Sequence, residues 1–546
     1  LVYTQVRSGA SAALAGLGEF FEQRAVPTFN TQINYEKSID KHTLGAMVGY
    51  EQMKQEYDYF QASRSDFPST VLDQLDAGSL DKNRQANNGS ASITSRKNYF
   101  GRATYDYDHK YLVQLIFRYD GSPQFPENKR WGFFPGASVG WRISEEAFMD
   151  NLAAVDELKL RASYGQMGND NVGAFQHVTA YKYGNNYVVG GADVIGLTSA
   201  GAANPNITWE VAKTTNVGFD LTLWEGMLTA QFDYFKTNRS NILTPRTVVI
   251  PDYIGIPVLP DENFGEVENK GFELNLLHTR TLNKLTYSIG GNISYARNKV
   301  IVGNEPPSAE PYQAVAGKPV GARLVYKAMG IFRTTEEVDA YPHMPGAKAG
   351  DIQYEDVNQD NILNSLDQIR LDETPTPQIT YAINASVGYA NFDLSILFQG
   401  QEKAISNFYE TIDNLQDKNF YFPIMNPNGL GNFLQWRADG RWTHENTNAT
   451  QPRADATNGN NNTTNASTHW IFDAGFLRLK NVELGYTLPS AITRKIKIQN
   501  LRLYVNGNNL LLLKDNMKDL GFDPETTDYW YYPNQRTFNI GANLTF

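Results

Sequence analysis

Strict period-two alternation is the feature that most limits what this chain can become. Between Tyr111 and Asp120, one face carries Tyr111, Val113, Leu115, Phe117 and Tyr119, and the other carries Leu112, Gln114, Ile116, Arg118 and Asp120. Successive side chains of a strand point to opposite faces, so this spacing predicts a strand and not a helix. About ten residues cross a bilayer as a tilted strand, and an apolar face bounded by tyrosines suits hydrocarbon between two interfaces. A sandwich strand can alternate in the same way but is usually shorter. The aromatic face is expected against lipid, with Gln114, Arg118 and Asp120 toward the lumen or loop water, because charge against hydrocarbon is costly. The terminal segment repeats the pattern, with Phe538, Ile540, Ala542, Leu544 and Phe546 on one face.

Similar segments recur at 28–36, 42–54, 92–107, 130–142, 158–168, 208–223, 226–239, 266–279, 284–299, 378–390, 391–401, 474–488 and 499–508, with shorter ones expected near 174–182 and 322–332. The connections sort into two classes. Asp108-His109, Glu225-Gly226 and Ala390-Asn391 are very short, whereas 54–91, 240–265, 300–320, 333–377 and 402–473 are long and polar. A transmembrane barrel has this asymmetry, with short turns on the periplasmic side and long loops outside.

Composition agrees. The 546 residues include 31 Tyr, 29 Phe, 8 Trp and 44 Gly, which suits aromatic girdles and tight turns but also fits a soluble all-β protein. The absence of cysteine excludes a disulfide framework and a thiolate metal site. With a net charge of −11 and no basic run, nucleic acid is not an expected partner. No apolar run is long enough for a transmembrane helix. The chain opens at Leu1 without a signal-peptide pattern and reads as a mature or truncated product. Residues 1–27, with Ser8 to Gly18 rich in Gly and Ala, are expected to be a flexible end or loop, and 28–546 to be barrel wall with its loops.

Several stretches resemble, in order along the chain, hallmarks of the SusC/RagA family of TonB-dependent outer-membrane transporters. They are Leu158 to Asn169 (LKLRASYGQMGN), Gly350 to Asp360 (GDIQYEDVNQD), Phe392 to Gly400, Phe476 to Pro489, Leu503 to Leu510, Gly521 to Glu525 and Pro533 to Phe538. The resemblance implies an all-β transmembrane antiparallel barrel of about 22 strands in the complete protein, of which this chain supplies roughly 14–16. It implies active import of oligosaccharides or oligopeptides, a SusD-like surface lipoprotein over the mouth, and energy from the TonB complex acting through an N-terminal part. No plug and no TonB box is recognised in the sequence.

One loop has the register of a calcium site. From Asp356, oxygen donors fall at positions one, three and five (Asp356, Asn358, Asp360), with the Ile362 carbonyl at seven, Asn364 at nine and Asp367 at twelve. Asn361 stands where such loops carry glycine, and asparagine tolerates the left-handed conformation needed there. One structural calcium held by Asp356, Asn358, Asp360, Ile362 and Asp367 is expected; a solvated Asp/Asn turn is the competing reading. No other cofactor is expected. The seven histidines form no metal pair, and no nucleophile elbow, carboxylate dyad or phosphate loop is present, so no catalytic residue is assigned and the chain is not expected to be an enzyme. Aromatic residues that could stack on substrate are Tyr181, Tyr183, Tyr187, Tyr409, Phe420, Tyr421, Phe422, Trp436 and Trp442, although loop cores need aromatics too. Besides the importer, a passive porin or structural barrel and a soluble β-rich binding module remain open.

Overall fold

The computed structural model describes residues 15–184, 186–199, 201–245, 259–305, 310–407, 435–453, 462, 465–526 and 534–546. Its dominant feature is one 16-stranded antiparallel sheet. The strands are β1 (Ala15–Ala25), β2 (Thr28–Ile39), β3 (His42–Phe67), β4 (Gln85–Tyr107), β5 (Tyr111–Gly121), β6 (Trp131–Arg142), β7 (Val155–Asn169) and β8 (Glu210–Leu223). They continue as β9 (Leu228–Thr244), β10 (Glu262–Leu282), β11 (Leu285–Val302), β12 (Ile379–Tyr389), β13 (Phe392–Glu402), β14 (Phe476–Thr487), β15 (Asn500–Asp515) and β16 (Thr537–Thr545). From β3 onward each strand pairs with the next in sequence. β1 and β2 both pair with β3, one above the other, and Val26-Pro27 separates them because proline cannot donate to the ladder.

The alternation read from the sequence is realised. Leu115 opposes Ala103 and Ala137, and Phe117 stacks on Phe133 at 6.1 Å. A second ladder runs Phe219, Phe232, Phe272 and Tyr295 across β8 to β11, with ring separations of 5.7, 6.3 and 5.8 Å. These rings share one face of the sheet, and Leu115 is 54% exposed there. The opposite face carries Arg118, Arg161, Asp220, Asp233, Glu483 and Arg502. The ring face is therefore the lipid face and the charged face lines the lumen.

Tight turns at Asp40-Lys41, Asp108 to Lys110, Trp224 to Met227, Asn283-Lys284 and Ala390-Asn391 lie at one end of the wall. The long connections 170–209, 303–378 and 403–475 lie at the other. Two expectations need correction. Residues 1–27 are not a loop throughout: Ala15–Ala25 is a strand, because β3 runs on to Phe67 and offers an edge on which Leu17 and Phe67 become buried. The region 54–91 is largely an extended hairpin of β3 and β4, leaving only 68–84 as the connection. Its polar residues conceal it, since a hairpin standing in water needs no apolar face.

Candidate functional site: the lumen wall and the loop assembly above it

Two arginines tie neighbouring strands together on the lumen face. Arg161 of β7 donates through Nε and Nη2 to Asp220 of β8 at 2.8 and 3.0 Å, and through Nη1 and Nη2 to Asp233 of β9 at 3.0 Å each. The guanidinium is a planar fork with five N–H donors, so it can make these four hydrogen bonds to two carboxylates, one more than the three donors of a lysine allow. Gly218 makes room for this: it faces Arg161 across the ladder, and a Cβ there would come within 2.6 Å of Asp233 Oδ1. Arg502 of β15 similarly donates to Asp393 of β13 at 3.0 Å and to Glu483 of β14 at 2.7 Å. Asn506 completes this group by donating to Glu483 at 3.1 Å and accepting from Asn539 at 2.9 Å. Each guanidinium thus faces two carboxylates, so these clusters are fixed in place and keep a net negative charge. Sequence reading placed charge on this face but did not identify these pairings, whose only signal is a charged residue at a lumen-facing position of each of three adjacent strands.

Above the wall, segments 303–378 and 403–475 interlock as one unit. Tyr326, Ile352, Tyr354 and Leu363 of the first pack with Trp470 of the second, all of them buried. Asp351 is 1% exposed and accepts from Arg453 Nε at 2.6 Å, Asn462 Nδ2 at 2.9 Å and the Lys348 amide at 2.9 Å. Asn462 also accepts from the Ile352 amide, and Trp470 Nε1 donates to the Asn462 carbonyl at 2.8 Å. Burial dominates at Tyr354, pushing its phenol well above the ordinary tyrosine range; Ser467 and Asn465 offset only part of this.

The Asp356–Asp367 loop projects from this unit. Asp356 Oδ2 accepts from the Asn361 amide, Asn358 Oδ1 from the Asp360 amide, and Asp360 Oδ1 from the Ile362 amide, at 2.9, 3.1 and 2.7 Å. Asn361 adopts φ +64°, as its place in the turn requires. Asp367 is fully buried, and its two oxygens accept from the Val357 and Asn364 amides at 2.9 and 2.8 Å. Asn364 and Asp367 form a capping box around the short helical turn Ser365–Asp367. Asp356 Oδ1 is buried and without a hydrogen-bond partner. Among the described residues no group of three or more His, Cys, Asp or Glu is placed to hold a metal. A site here would therefore rest on Asn358 and the Ile362 carbonyl beside the carboxylates.

The aromatic candidates divide. Tyr181, Tyr183 and Tyr187 lie exposed on short hairpin strands of the 170–209 connection. Trp442 is buried: its Nε1 donates to the Arg333 carbonyl at 3.1 Å and its ring packs over Gly350, so it belongs to the core of the loop assembly. Trp436 donates to the Leu520 carbonyl at 3.1 Å and is anchored against the connection before β16. Tyr409, Phe420, Tyr421 and Phe422 lie outside the described residues.

Comparison with known proteins places this architecture. The family described as TonB dependent receptor-like, beta-barrel, matches residues 3–401. TonB-dependent receptor P3 of Formosa agariphila is 27% identical over 98% of this chain and 54% of its own length. TonB-dependent receptor SusC of Bacteroides thetaiotaomicron is 26% identical over 95% of this chain and 50% of its own length. The solved RagAB peptide importer in its open-open state superposes with a TM-score of 0.78 at 23% identity, over 98% of this chain and 56% of that one. The chain thus spans about half the length of the relatives it matches. Its family is one of outer-membrane receptors and not of enzymes. The chain belongs to the TonB-dependent receptor family, as a SusC/RagA-like outer-membrane β-barrel.

Proposed function

We propose that this chain is the barrel of an active importer that takes oligosaccharides or oligopeptides across the outer membrane. The family match over residues 3–401 carries this reading. It is supported by a lumen wall whose charged side chains are held in fixed clusters across neighbouring strands, Arg161 with Asp220 and Asp233, and Arg502 with Asp393 and Glu483. One relative is named SusC and one structural neighbour is a peptide importer, so both substrate classes stand. A SusD-like surface lipoprotein would sit over the loop end, and the TonB complex would act through a part of the complete protein outside this sequence. Energy would enter from the inner membrane through the TonB complex, a reading that rests on the family match. The test is uptake of labelled oligosaccharide or oligopeptide by cells carrying the complete operon. Uptake collapses on deletion of TonB or dissipation of the proton gradient while the barrel stays folded; full uptake without TonB establishes a passive pore instead.

A structural calcium in the Asp356–Asp367 loop is a second proposal, supported by the orphaned, buried Asp356 Oδ1. Asp356, Asn358, Asp360, the Ile362 carbonyl and Asp367 would hold it, and the ion would stiffen the loop assembly.

A further inference from the structure

Three cations stand side by side on the lipid face. Lys236 of β9 is the register partner of Lys270 of β10, and Lys270 is the register partner of Arg297 of β11. Like charges directly opposite one another in a sheet repel, so such a row needs an anion to sit stably. One residue-pair further from the membrane, Lys213 of β8 opposes Asn238, and Lys299 of β11 opposes Glu268 of β10. The patch therefore holds five cations. Glu268 faces three of them, at 2.7 Å from Lys236, 3.7 Å from Lys270 and 3.8 Å from Lys299. Asp372, from the 303–378 connection, lies 3.6 Å from Arg297 but is shared with Lys318 at 3.0 Å. Glu266 is exposed beyond the patch, past a bulge in the β10–β11 ladder. The side chains of Lys236, Lys270 and Arg297 keep 44%, 52% and 40% of their surface exposed. Two outward cations elsewhere on the wall are each held by a carboxylate, Lys54 by Glu56 and Lys514 by Glu402.

Position specifies the anion. Immediately below the row, on the same face, lie Tyr234, Phe272 and Tyr295, the upper edge of the apolar band. Tyr287 and Tyr295 of β11 lie about 27 Å apart along the strand, about 21 Å along the membrane normal at a tilt of about 40°, and one step further Arg297 reaches about 26 Å, the edge of an apolar band of about 25 Å. The row therefore lies at headgroup height, at the end of the wall that bears the long connections. Long loops face outward in such barrels, so the headgroups at this height belong to the outer leaflet.

We propose that Lys236, Lys270, Arg297, Lys299 and Lys213 form a binding site for the phosphorylated headgroup of an outer-leaflet glycolipid. Two rows on four adjacent strands present a flat basic plate. The phosphate charge would relieve the repulsion along the row, while the acyl chains lie over Phe232, Phe272 and Ile293 below. Basic clusters flanking a membrane band attract anionic headgroups in this way.

The experiment uses the complete transporter with its partner chains, purified in mild detergent, and quantifies retained lipid A by mass spectrometry. The Lys236→Gln/Lys270→Gln/Arg297→Gln variant is expected to retain about fivefold less lipid A than the wild type. A control that removes equal charge elsewhere (Arg84→Gln/Lys182→Gln/Lys327→Gln) retains it. Delipidated wild type rebinds phosphorylated lipid A in micelles but not the same lipid after phosphatase treatment, a measurement that does not depend on the variant folding. Equal retention by the triple variant, or equal rebinding of the dephosphorylated lipid, overturns the proposal. So does loss of a protein partner from the triple variant with its lipid retained, which assigns the plate to that partner.

Discussion

Arg453 and Asp351 are 102 residues apart in sequence, yet the Arg453 guanidinium meets the Asp351 carboxylate at 2.6 Å and locks two long connections into one body. The carboxylate is buried, so its stability depends on every partner it has there: Arg453, Asn462 and the Lys348 amide. A pair in this setting contributes little relative to an apolar replacement, but breaking one half strands a charge.

Asp351→Ala is therefore expected to loosen the loop assembly without unfolding the barrel. Removing the acceptor strips Arg453 Nε and Asn462 Nδ2 of their bonds to it, at a cost of about 3 kcal/mol. Amide hydrogen exchange at Ile352 to Tyr354 is expected to accelerate about a hundredfold, while exchange in β8 to β11 is unchanged. Asp351→Asn, which keeps the shape, falls between the two.

The wall offers a paired comparison on β5. Leu115 sits midway between Tyr111 and Tyr119 on the lipid face, and Gln114 is its neighbour on the lumen face. Leu115→Arg is expected to destabilise the assembled barrel by about 2–4 kcal/mol, read as a lower temperature of heat-modified migration in detergent gels. Gln114→Arg is expected to leave that temperature nearly unchanged. The reverse ranking would exchange the lipid and lumen faces of the sheet.

In the Asp356–Asp367 loop, Asp356→Ala with Asp360→Ala is expected to lower bound calcium by about one ion per chain after exhaustive dialysis. Segment 350–370 would also become more accessible to protease. Unchanged metal content would leave the loop as a turn held by its own amide hydrogen bonds.

What could be read in the sequence follows from the range of the interactions. Alternation is local, so β5 and β16 were visible residue by residue. The chain of side chain-to-amide bonds from Asp356 to Ile362 is also local, which is why the spacing of Asp and Asn revealed an ordered loop. The extension of β3 to Phe67 was hidden, because above the membrane both faces meet water and the hydrophobic signal vanishes. Trp442 shows the same limit from the other side. An aromatic in a polar segment resembles a ligand contact until a distant backbone, here Gly350 and the Arg333 carbonyl, closes over it. Asp351–Arg453 and the Arg161 clamp join residues far apart in sequence, and no spacing rule announces them.

Tyr354 supplies a pH test of the loop assembly. Its ring packs 5.2 Å from Tyr326 in the buried cluster, and burial raises the phenol of each. In the unfolded assembly a tyrosine ionises near pH 10. The folded assembly holds the proton to higher pH, so over that interval the folded form binds more protons than the unfolded one. By linkage, the stabilisation is fully present below about pH 10 and falls as the pH rises further. Limited proteolysis of segment 303–378 is thus expected to be flat between about pH 7 and 9 and to accelerate steeply above about pH 10. Tyr354→Phe keeps the aromatic packing and removes the ionising group, so its profile rises less steeply; adding Tyr326→Phe flattens it further. A wild-type slope preserved in the double variant would place the alkaline sensitivity elsewhere in the loops.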